Sequence, residues 1–239
     1  MRILSLNIND FGGLLHQEDY KKKFGIKNYL NEWDAIDKTH VSNKLFSYIQ
    51  DILPDIVILQ EVDIKATETR EFLRKLRHIG FNLNGYENLQ RWPLKRPSIT
   101  AMFSRKGINI KVLQTNHRLY MRAVLVQVDD LIIYGTHVPP RNLQIKGEEE
   151  RIQDFWREMS VLRRLYANNK LLLIGDFNTC NPLNASFVKQ MDNGNIIDLA
   201  NHFDMSDRST VSDGRQLDYA FVNQCLLIDV TSLGIDSKP

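Results

Sequence analysis

Residues 170–179 read KLLLIGDFNT, an apolar run that ends at once in side chains able to bind a cation or move a proton. The run is too short for a normal helix and is typical of a strand buried on both faces. Gly175 lets the backbone either turn or approach another group without a clashing Cβ. In an extended chain, Asp176 and Asn178 would point to the same side. A carboxylate beside a carboxamide suits a hard cation and a phosphoryl oxygen.

The same arrangement recurs at other apolar runs. Glu61 follows DIVILQ, His137 follows LIIYGT, and Asn7 follows RILSL. A buried carboxylate must be paired, hydrogen-bonded or bound to metal, because an uncompensated buried charge costs several kcal/mol. Histidine is the side chain best placed to exchange a proton near neutral pH. A turn cap is the alternative for the Asp-Phe-Asn motif and a structural role is the alternative for His137, but the recurrence favours function.

The elements that position these residues follow from the spacing of apolar side chains. The patterns predict helices over 38–52, 67–78 and 143–169. They predict strands over 2–9, 55–62, 98–104, 108–113, 123–128 and 131–135, and a late hairpin that joins 217–222 to 226–230. A loop with short helices is expected between Asn178 and Asn201. The candidate residues Asn7, Glu61 and His137 therefore lie at or near the ends of predicted strands.

Composition narrows the class of protein. With 239 residues, 43% hydrophobic and 25% charged, the chain has the composition of an ordinary globular protein and is expected to form one domain. A net charge of +2 does not indicate a nucleic-acid partner, so any surface that binds nucleic acid must be a local basic patch. There is no C-x-x-C spacing that would indicate structural zinc. The apolar stretch at the start is too short for a signal-peptide core or a membrane span, which predicts no membrane insertion and a cytoplasmic location.

A proline-punctuated segment is the candidate local basic surface. Residues 90–97 read QRWPLKRP and hold Arg91, Trp92, Lys95 and Arg96. Such a loop could grip phosphates with its cations and stack a base on the indole. A solvated connector is the alternative, and the lysines at 21–23 are open to the same two interpretations.

Together, the motifs resemble those of the endonuclease/exonuclease/phosphatase superfamily, which includes exonuclease III, pancreatic-type DNases, neutral sphingomyelinases and inositol-polyphosphate phosphatases. The resemblance is carried, in chain order, by Leu6-Asn7, Leu59-Gln60-Glu61-Val62, Thr136-His137, Gly175-Asp176-Phe177-Asn178 and Leu217-Asp218-Tyr219. It implies an α/β fold, a four-layer α-β-β-α sandwich of two mixed, mostly antiparallel sheets packed face to face with outer helices. It also implies a divalent metal, Mg²⁺ or Mn²⁺, at the converging strand ends.

The resemblance further implies a role for each matching residue. Glu61 is similar to the family's main metal ligand and Asn7 to its helper. Asp176 corresponds to the residue that orients or deprotonates the attacking water, and Asn178 to one that contacts the phosphate. His137 is similar to a histidine of the DNase and sphingomyelinase branches that contacts the phosphoryl group or helps the leaving oxygen depart.

The end of the sequence departs from the family pattern. Relatives usually carry Ser-Asp-His followed by a last core strand, with the aspartate helping to hold metal, whereas this sequence reads IDSKP from Ile235. Asp236 takes the place of the metal-binding aspartate, and Ser237 replaces the histidine that would pair with Asp218. The expectation is a single domain over 1–239 without the final strand. His202 or His117 could fill the gap in three dimensions.

The leading prediction is a divalent-metal-dependent phosphoesterase, a nuclease that hydrolyses DNA phosphodiester bonds by metal-assisted attack of water. One alternative is a phosphatase or phosphodiesterase that acts on a nucleotide, an inositol phosphate or a phospholipid head group. The other is a weakly active or non-catalytic phosphate-binding protein, because serine cannot replace histidine as a base. The sequence does not indicate an oligomeric state.

Overall fold

The computed structural model of the chain describes residues 1–8, 11, 38–64, 66–84, 98–115, 121–139, 148–179, 195–205, 210 and 216–235. Its strands are β1 (Ile3–Asn7), β2 (Ile56–Asp63), β3 (Phe81–Asn84), β4 (Ser98–Arg105), β5 (Lys111–Leu113), β6 (Ala123–Val128), β7 (Leu131–His137), β8 (Lys170–Asp176), β9 (Ile196–Asp198) and β10 (Asp218–Asn223). Its helices are α1 (Lys38–Ile52), α2 (Thr67–His78), α3 (Glu148–Leu165), α4 (Leu199–His202) and α5 (Gln224–Leu227).

The strands form two mixed sheets. One has the order β1-β2-β4-β3 and the other has the order β5-β6-β7-β8-β10-β9. In each sheet one neighbouring pair is parallel, β1 with β2 and β7 with β8, while the other pairs are antiparallel. The prediction of mixed, mostly antiparallel sheets is confirmed. Strands of a parallel pair end at the same edge, so each sheet brings two strand ends together.

Alternation along the strands sorts apolar side chains into layers. On β2, Ile56 and Ile58 pack against side chains of the six-stranded sheet, such as Ile133, whereas Val57 and Leu59 pack against α1 and α2. The far face of the six-stranded sheet packs against Phe155, Trp156 and Met159 of α3. The order of layers is therefore helices, four-stranded sheet, six-stranded sheet and helix, as a four-layer sandwich requires.

The element boundaries agree with most of the sequence predictions, but the late hairpin is wrong. Both α1 and α2 have the predicted bounds, and α3 ends at Leu165, before the predicted end at Asn169. Downstream of β10, the chain forms α5 instead of a strand because the Asn223 side chain accepts a hydrogen bond from Leu226 N and caps a helical turn. The neighbours of β10 are β8 and β9.

Within the described ranges, none of the helices combines the length and apolar character needed to cross a lipid bilayer.

Candidate active site

The ends of strands from both sheets meet at one place. The four-stranded sheet supplies Asn7 at the end of β1 and Glu61 near the end of β2. The six-stranded sheet supplies His137 and Asp176, which are register partners at the ends of β7 and β8. Asp218 begins β10 and pairs across the sheet with Asp176. The structure therefore brings together residues that the sequence spreads over more than two hundred positions.

The backbone of Gly175 lets β7 and β8 approach closely at this edge. Its φ is +140°, and a Cβ added there would lie 2.0 Å from the carbonyl oxygen of Thr136. No side chain fits at that distance, so only glycine allows this approach. The prediction that Gly175 permits a close backbone approach is confirmed, and its consequence is that His137 and Asp176 lie side by side.

The Asp-Phe-Asn motif is anchored by its middle residue. Phe177 is fully buried and packs edge-on against Tyr219 and Phe221, with ring centroids 5.7 and 5.2 Å away. The strand ends at Asp176, and Asn178 has φ +46°, so the motif does not continue as an extended chain. Instead, Asp176 Oδ1 accepts a hydrogen bond from Asn178 N at 2.8 Å, and Asn178 Nδ2 donates to the Val138 carbonyl at 2.8 Å. The motif is thus both a turn and part of the site.

Glu61 lies on an irregularity of β2. The pairing of β2 with β4 shifts between Leu59 and Val62, as in a β-bulge, and Glu61 has φ +55°. A non-glycine residue in the left-handed region is uncommon and strained. Bulges re-aim side chains, and they are frequent beside active sites. Here the bulge carries the Glu61 carboxylate to the edge where Asn7 and Asp176 lie.

The amide of Asn7 bridges two carboxylates. Its Nδ2 donates to Asp176 Oδ2 at 2.7 Å and to Glu61 Oε1 at 3.2 Å. Both carboxylates therefore lie against a common donor, which offsets part of their mutual repulsion. This contact links the two sheets directly, because Asn7 and Glu61 belong to one sheet and Asp176 to the other.

The imidazole of His137 lies between the carboxylates and an arginine. Its Nε2 is 3.2 Å from Glu61 Oε1 and 4.0 Å from Asp176 Oδ2, and its Nδ1 is 3.3 Å from Arg122 Nη1. The approach of Nε2 to Glu61 is close but is not a hydrogen bond, and this buried nitrogen has no hydrogen-bond partner among the described residues. A buried polar atom of this kind indicates a place for a ligand.

Burial and like charges shift the acid–base behaviour of the site. Burial, reinforced by the neighbouring Glu61 carboxylate, raises the pKa of Asp176 to about 6, although hydrogen bonds from Asn7 and Asn178 oppose the shift. Burial and the charge of Asp176 raise the pKa of Asp218 to about 7. Burial and the Arg122 charge lower the pKa of His137 to about 3, so its ring is neutral at neutral pH. Such perturbed groups in one place are typical of functional sites.

The donor set fits a hard divalent cation. Ligand atoms of Glu61, His137 and Asp176 lie within 4.8 Å of one another. The carboxylate oxygens, with the Asn7 carboxamide beside them, are the groups that Mg²⁺ and Mn²⁺ favour. A divalent ion would also remove the electrostatic cause of the raised Asp176 pKa. Glu61 and Asp176, with Asn7, are therefore the residues that would hold a metal.

The structure leaves several predicted residues without a test. Arg91, Trp92, Lys95 and Arg96, together with Asp236, Ser237 and His117, lie outside the described residues. His202 lies on α4, against the ring of Phe203. The site also contains a residue that the sequence predictions missed, Arg122 just before β6. The turn at Asp129 and Asp130 could have indicated it, because Arg122 and His137 are equally far from that turn in the β6–β7 hairpin.

Solved structures with the same fold extend these observations. The human Nocturnin catalytic domain with bound sulfate anion aligns with a TM-score of 0.56 and 17% sequence identity, covering 94% of this chain and 82% of that one. D. rerio TDP2, humanized by 14 mutations, aligns with a TM-score of 0.50 and 14% identity, covering 95% of this chain and 83% of that one. No protein of curated function matches the sequence. At these identities, the likeness shows a common fold.

A sequence model of the Endonuclease/Exonuclease/phosphatase family matches residues 25–239. This match spans most of the chain, including Glu61, His137, Asp176 and Asp218. Members of this family are generally phosphoric ester hydrolases that depend on a divalent metal. The chain belongs to the Endonuclease/Exonuclease/phosphatase family, and its converging strand ends form the site at which that chemistry is expected.

Proposed function

We propose that the protein is a divalent-metal-dependent nuclease that hydrolyses DNA phosphodiester bonds. The observation that carries the proposal is the convergence of Glu61, Asp176 and His137 within 4.8 Å, in a chain of this family. Hydrolysis of a phosphodiester needs an activated water, relief of charge on the nonbridging oxygens and a proton or cation for the leaving oxygen. The residues at this site can supply or organise each of these.

Asp176 is the proposed base. Burial raises the pKa of Asp176 and so favours uptake of a proton by its carboxylate, as a general base requires, whether or not a cation neutralises the Glu61 charge. The Asn7 and Asn178 hydrogen bonds fix its carboxylate from both sides, so it can orient a water on the remaining lone pairs. A bound divalent ion, held by Glu61 with Asn7 and Asp176, would supply positive charge that offsets the charge of the phosphoryl group.

His137 and Asn178 are the proposed contacts to the phosphoryl group. The buried Nε2 of His137 is directed toward the carboxylates and can serve the phosphoryl group or the leaving oxygen. Asn178 uses its amide to hold the Val138 carbonyl, which leaves a second N–H available for a nonbridging oxygen. Asp218 pairs with Asp176 across β10 and β8, and the Asp176 charge helps burial to raise the pKa of Asp218, so a proton can be held beside the proposed base.

DNA is the proposed substrate because of the local basic segments. Arg91, Lys95 and Arg96, with Trp92 among them, have the composition of a loop that holds phosphates and stacks a base. A phosphatase or phosphodiesterase that acts on a nucleotide, inositol phosphate or phospholipid head group is the second candidate. It is favoured by the net charge of only +2, since duplex binding usually needs a broad basic surface.

Ser237 motivates a third candidate, a weakly active or non-catalytic phosphate-binding protein. Where relatives place a histidine that pairs with the residue corresponding to Asp218, this sequence has serine. Loss of a general acid–base group typically lowers a rate about 10²- to 10⁴-fold. The variant Ser237→His separates the possibilities, because a large gain in turnover marks an enzyme with a weakened site, and no gain argues that this position does not limit turnover.

The decisive experiment compares hydrolysis of plasmid DNA, a single-stranded oligonucleotide and small phosphate esters, each with Mg²⁺, Mn²⁺ and chelator. Wild type is measured beside Asp176→Asn and Glu61→Gln. The matched control is Asp229→Asn, because Asp229 lies beside Lys170 at the start of β8, the end of the strand opposite to Asp176. Metal-dependent cleavage of DNA that is lost in the two site variants and kept in the control supports the nuclease.

Other outcomes distinguish the candidates. If the protein hydrolyses small phosphate esters but does not cleave DNA, a phosphatase replaces the nuclease as the proposed function. Binding of DNA that does not weaken as salt rises would also count against the nuclease, because contacts to phosphates release counterions. If the protein binds metal but hydrolyses none of the substrates, the non-catalytic phosphate-binding protein is the candidate that remains.

A further inference from the structure

We propose that Arg122 is a positioning residue that holds His137 as a hydrogen-bond donor toward the substrate and keeps its Nε2 out of the metal's ligand set. The inference rests on the proposed function, because it assumes that a phosphoryl group and a metal ion share this site. It assigns a role to an arginine that none of the recognised motifs contains. Its basis is the chemistry of one contact at the edge of the imidazole.

The contact joins Arg122 Nη1 to His137 Nδ1 at 3.3 Å. A guanidinium has five N–H donors and no acceptor, and it stays protonated in proteins. Nδ1 must therefore accept, and in a neutral ring the single proton is then on Nε2. That nitrogen is the one directed toward Glu61 and Asp176, at 3.2 and 4.0 Å.

A histidine that binds metal normally has the opposite arrangement. Its free ring nitrogen carries a proton and donates it to a carboxylate, a carbonyl or a water, which leaves the other nitrogen's lone pair for the metal. Here the free nitrogen meets a donor instead. His137 therefore lies beside the metal site as a hydrogen-bond donor and is not one of its ligands. The ligands that remain are the oxygens of Glu61, Asp176 and Asn7.

The position of Arg122 is fixed by its own backbone. Its carbonyl oxygen accepts hydrogen bonds from His137 N at 2.7 Å, Thr100 Oγ1 at 3.0 Å and Thr136 Oγ1 at 3.5 Å. The preceding carbonyl, of Met121, accepts from Thr100 N at 2.8 Å. Thr100 belongs to the four-stranded sheet, whereas His137 and Thr136 belong to the six-stranded sheet. The guanidinium thus starts from a point that both sheets define.

Two consequences follow for the chemistry of the site. An Nε2–H without a partner among the described residues is a costly buried donor, and a nonbridging or leaving oxygen of the substrate would satisfy it. A ligand set made only of oxygens favours Mg²⁺ and Mn²⁺, while a free imidazole nitrogen would add affinity for Zn²⁺. Through this single contact, Arg122 therefore keeps a proton on Nε2 for the substrate and favours Mg²⁺ and Mn²⁺ over Zn²⁺.

The first test determines which nitrogen of the His137 ring carries the proton. In metal-free wild-type protein labelled with ¹⁵N-histidine, two-dimensional spectra distinguish a protonated ring nitrogen from an unprotonated one, and the signals missing from His137→Asn assign the residue. The proposal expects the proton of the neutral His137 ring on Nε2. A ring protonated on Nδ1 would overturn it, whatever the protein hydrolyses.

The second test measures metal choice in the metal-free protein by calorimetry with Zn²⁺ and Mg²⁺. Removing a positive charge raises affinity for any cation, so the ratio of the two affinities is the informative quantity. In Arg122→Met the ratio should move toward Zn²⁺ by about tenfold or more, as expected when a histidine becomes a ligand. Adding His137→Asn should abolish that gain, and Arg122→Lys should show a smaller one because it keeps a donor.

Arg105→Met is the matched control, since Arg105 is exposed at the far end of β4 and should leave the ratio unchanged. An unchanged ratio in folded Arg122→Met would overturn the proposal. If His137 has the expected tautomer but no phosphate ester is hydrolysed, the positioning of the His137 ring by Arg122 stands and the proposed function fails. With an active enzyme, Arg122→Met should lower kcat more than it raises KM, whereas an arginine that only attracts phosphate would change KM alone.

Discussion

Strand β8 begins and ends in charged residues whose surroundings are opposite. At its start, the Lys170 ammonium lies 2.9 Å from Asp130 and 2.8 Å from Asp229, so unlike charges meet near the surface. At its end, Asp176 is buried with Glu61 and Asp218 nearby, so like charges meet out of water. The hydrogen bonds that Lys170 donates to Asp229 and Asp130 raise its pKa well above its usual range, whereas burial and the Glu61 charge raise the pKa of Asp176.

This difference distinguishes charges that stabilise the fold from charges that favour binding of a cation. The Lys170 end is electrostatically satisfied by the chain itself. The Asp176 end is satisfied only in part, through Asn7, Asn178 and Arg122, and it retains an excess of negative charge that a cation can neutralise. Exchanging aspartate for asparagine at either end changes one charge in each environment, which makes the two ends directly comparable.

The largest effect is expected from Asp176→Asn. We expect metal-dependent turnover to fall by about 10²- to 10⁴-fold, because an amide cannot take a proton from water. The metal-free protein should become more stable near neutral pH, since the change removes a carboxylate that Glu61 and Asp218 repel. Turnover and thermal unfolding are measured on the same preparations. A variant that lost stability together with activity would show that Asp176 is mainly structural.

The next effect is stabilisation by metal. Ligands that bind only the folded state stabilise it by about 2.7 kcal/mol at one hundred times their dissociation constant. For a chain of this size we expect Mg²⁺ or Mn²⁺ to raise the melting temperature by about 5–10 °C. Glu61→Gln should abolish most of that rise, while Asp229→Asn should keep it. Equal rises in all these proteins would place the metal elsewhere.

A smaller effect is expected in the pH dependence of metal-free stability. The pKa of Asp218 is raised in the folded state to about 7 from 3.8, so the folded protein binds more protons than the unfolded chain within that window. Stability therefore falls as pH rises through it. The lowered pKa of His137 has the opposite sign, with stability gained as pH rises, but it is common to wild type and variant.

Asp218→Asn isolates the contribution of Asp218. We expect the melting temperature of the variant, minus that of wild type, to become more positive from about pH 4 to about pH 7.5. Thermal melts in chelator at several pH values measure it. A difference that does not change with pH would mean that Asp218 has an ordinary pKa in the folded protein.

The smallest effect is expected at the opposite end of β8. Asp229→Asn removes one partner of Lys170, but Asp130 remains at 2.9 Å and both aspartates are well exposed. Because exposed ion pairs contribute little, we expect the melting temperature to fall by about 2 °C or less, with turnover unchanged. A loss as large as that at the site would contradict the contrast between the two ends.

The sequence indicated which residues converge at the candidate site better than it indicated the arrangement around them. Glu61, His137 and Asp176 each follow an apolar run, and that local pattern is visible without a structure. Arg122 is one of 31 lysines and arginines, and nothing in its immediate neighbours distinguishes it. Its proposed role depends on the pairing of β6 with β7 and on a contact across the sheets, which are properties of the folded chain.

The fold shows the same limit. The helices α1 and α2 were predictable because their apolar stripes are periodic and their ends are marked. The late hairpin was wrong because an apolar run after β10 fits a strand or a helix equally well. A single asparagine cap, Asn223, decided in favour of the helix.

The carbonyl oxygen of Arg122 also ties the alignment of the two sheets to the candidate site. It receives hydrogen bonds from Thr100 of one sheet and from His137 of the other. Any sliding of the sheets past each other breaks these bonds and displaces the guanidinium from the imidazole in the same movement. The alignment of the two sheets and the geometry of the candidate site are therefore linked through this one oxygen.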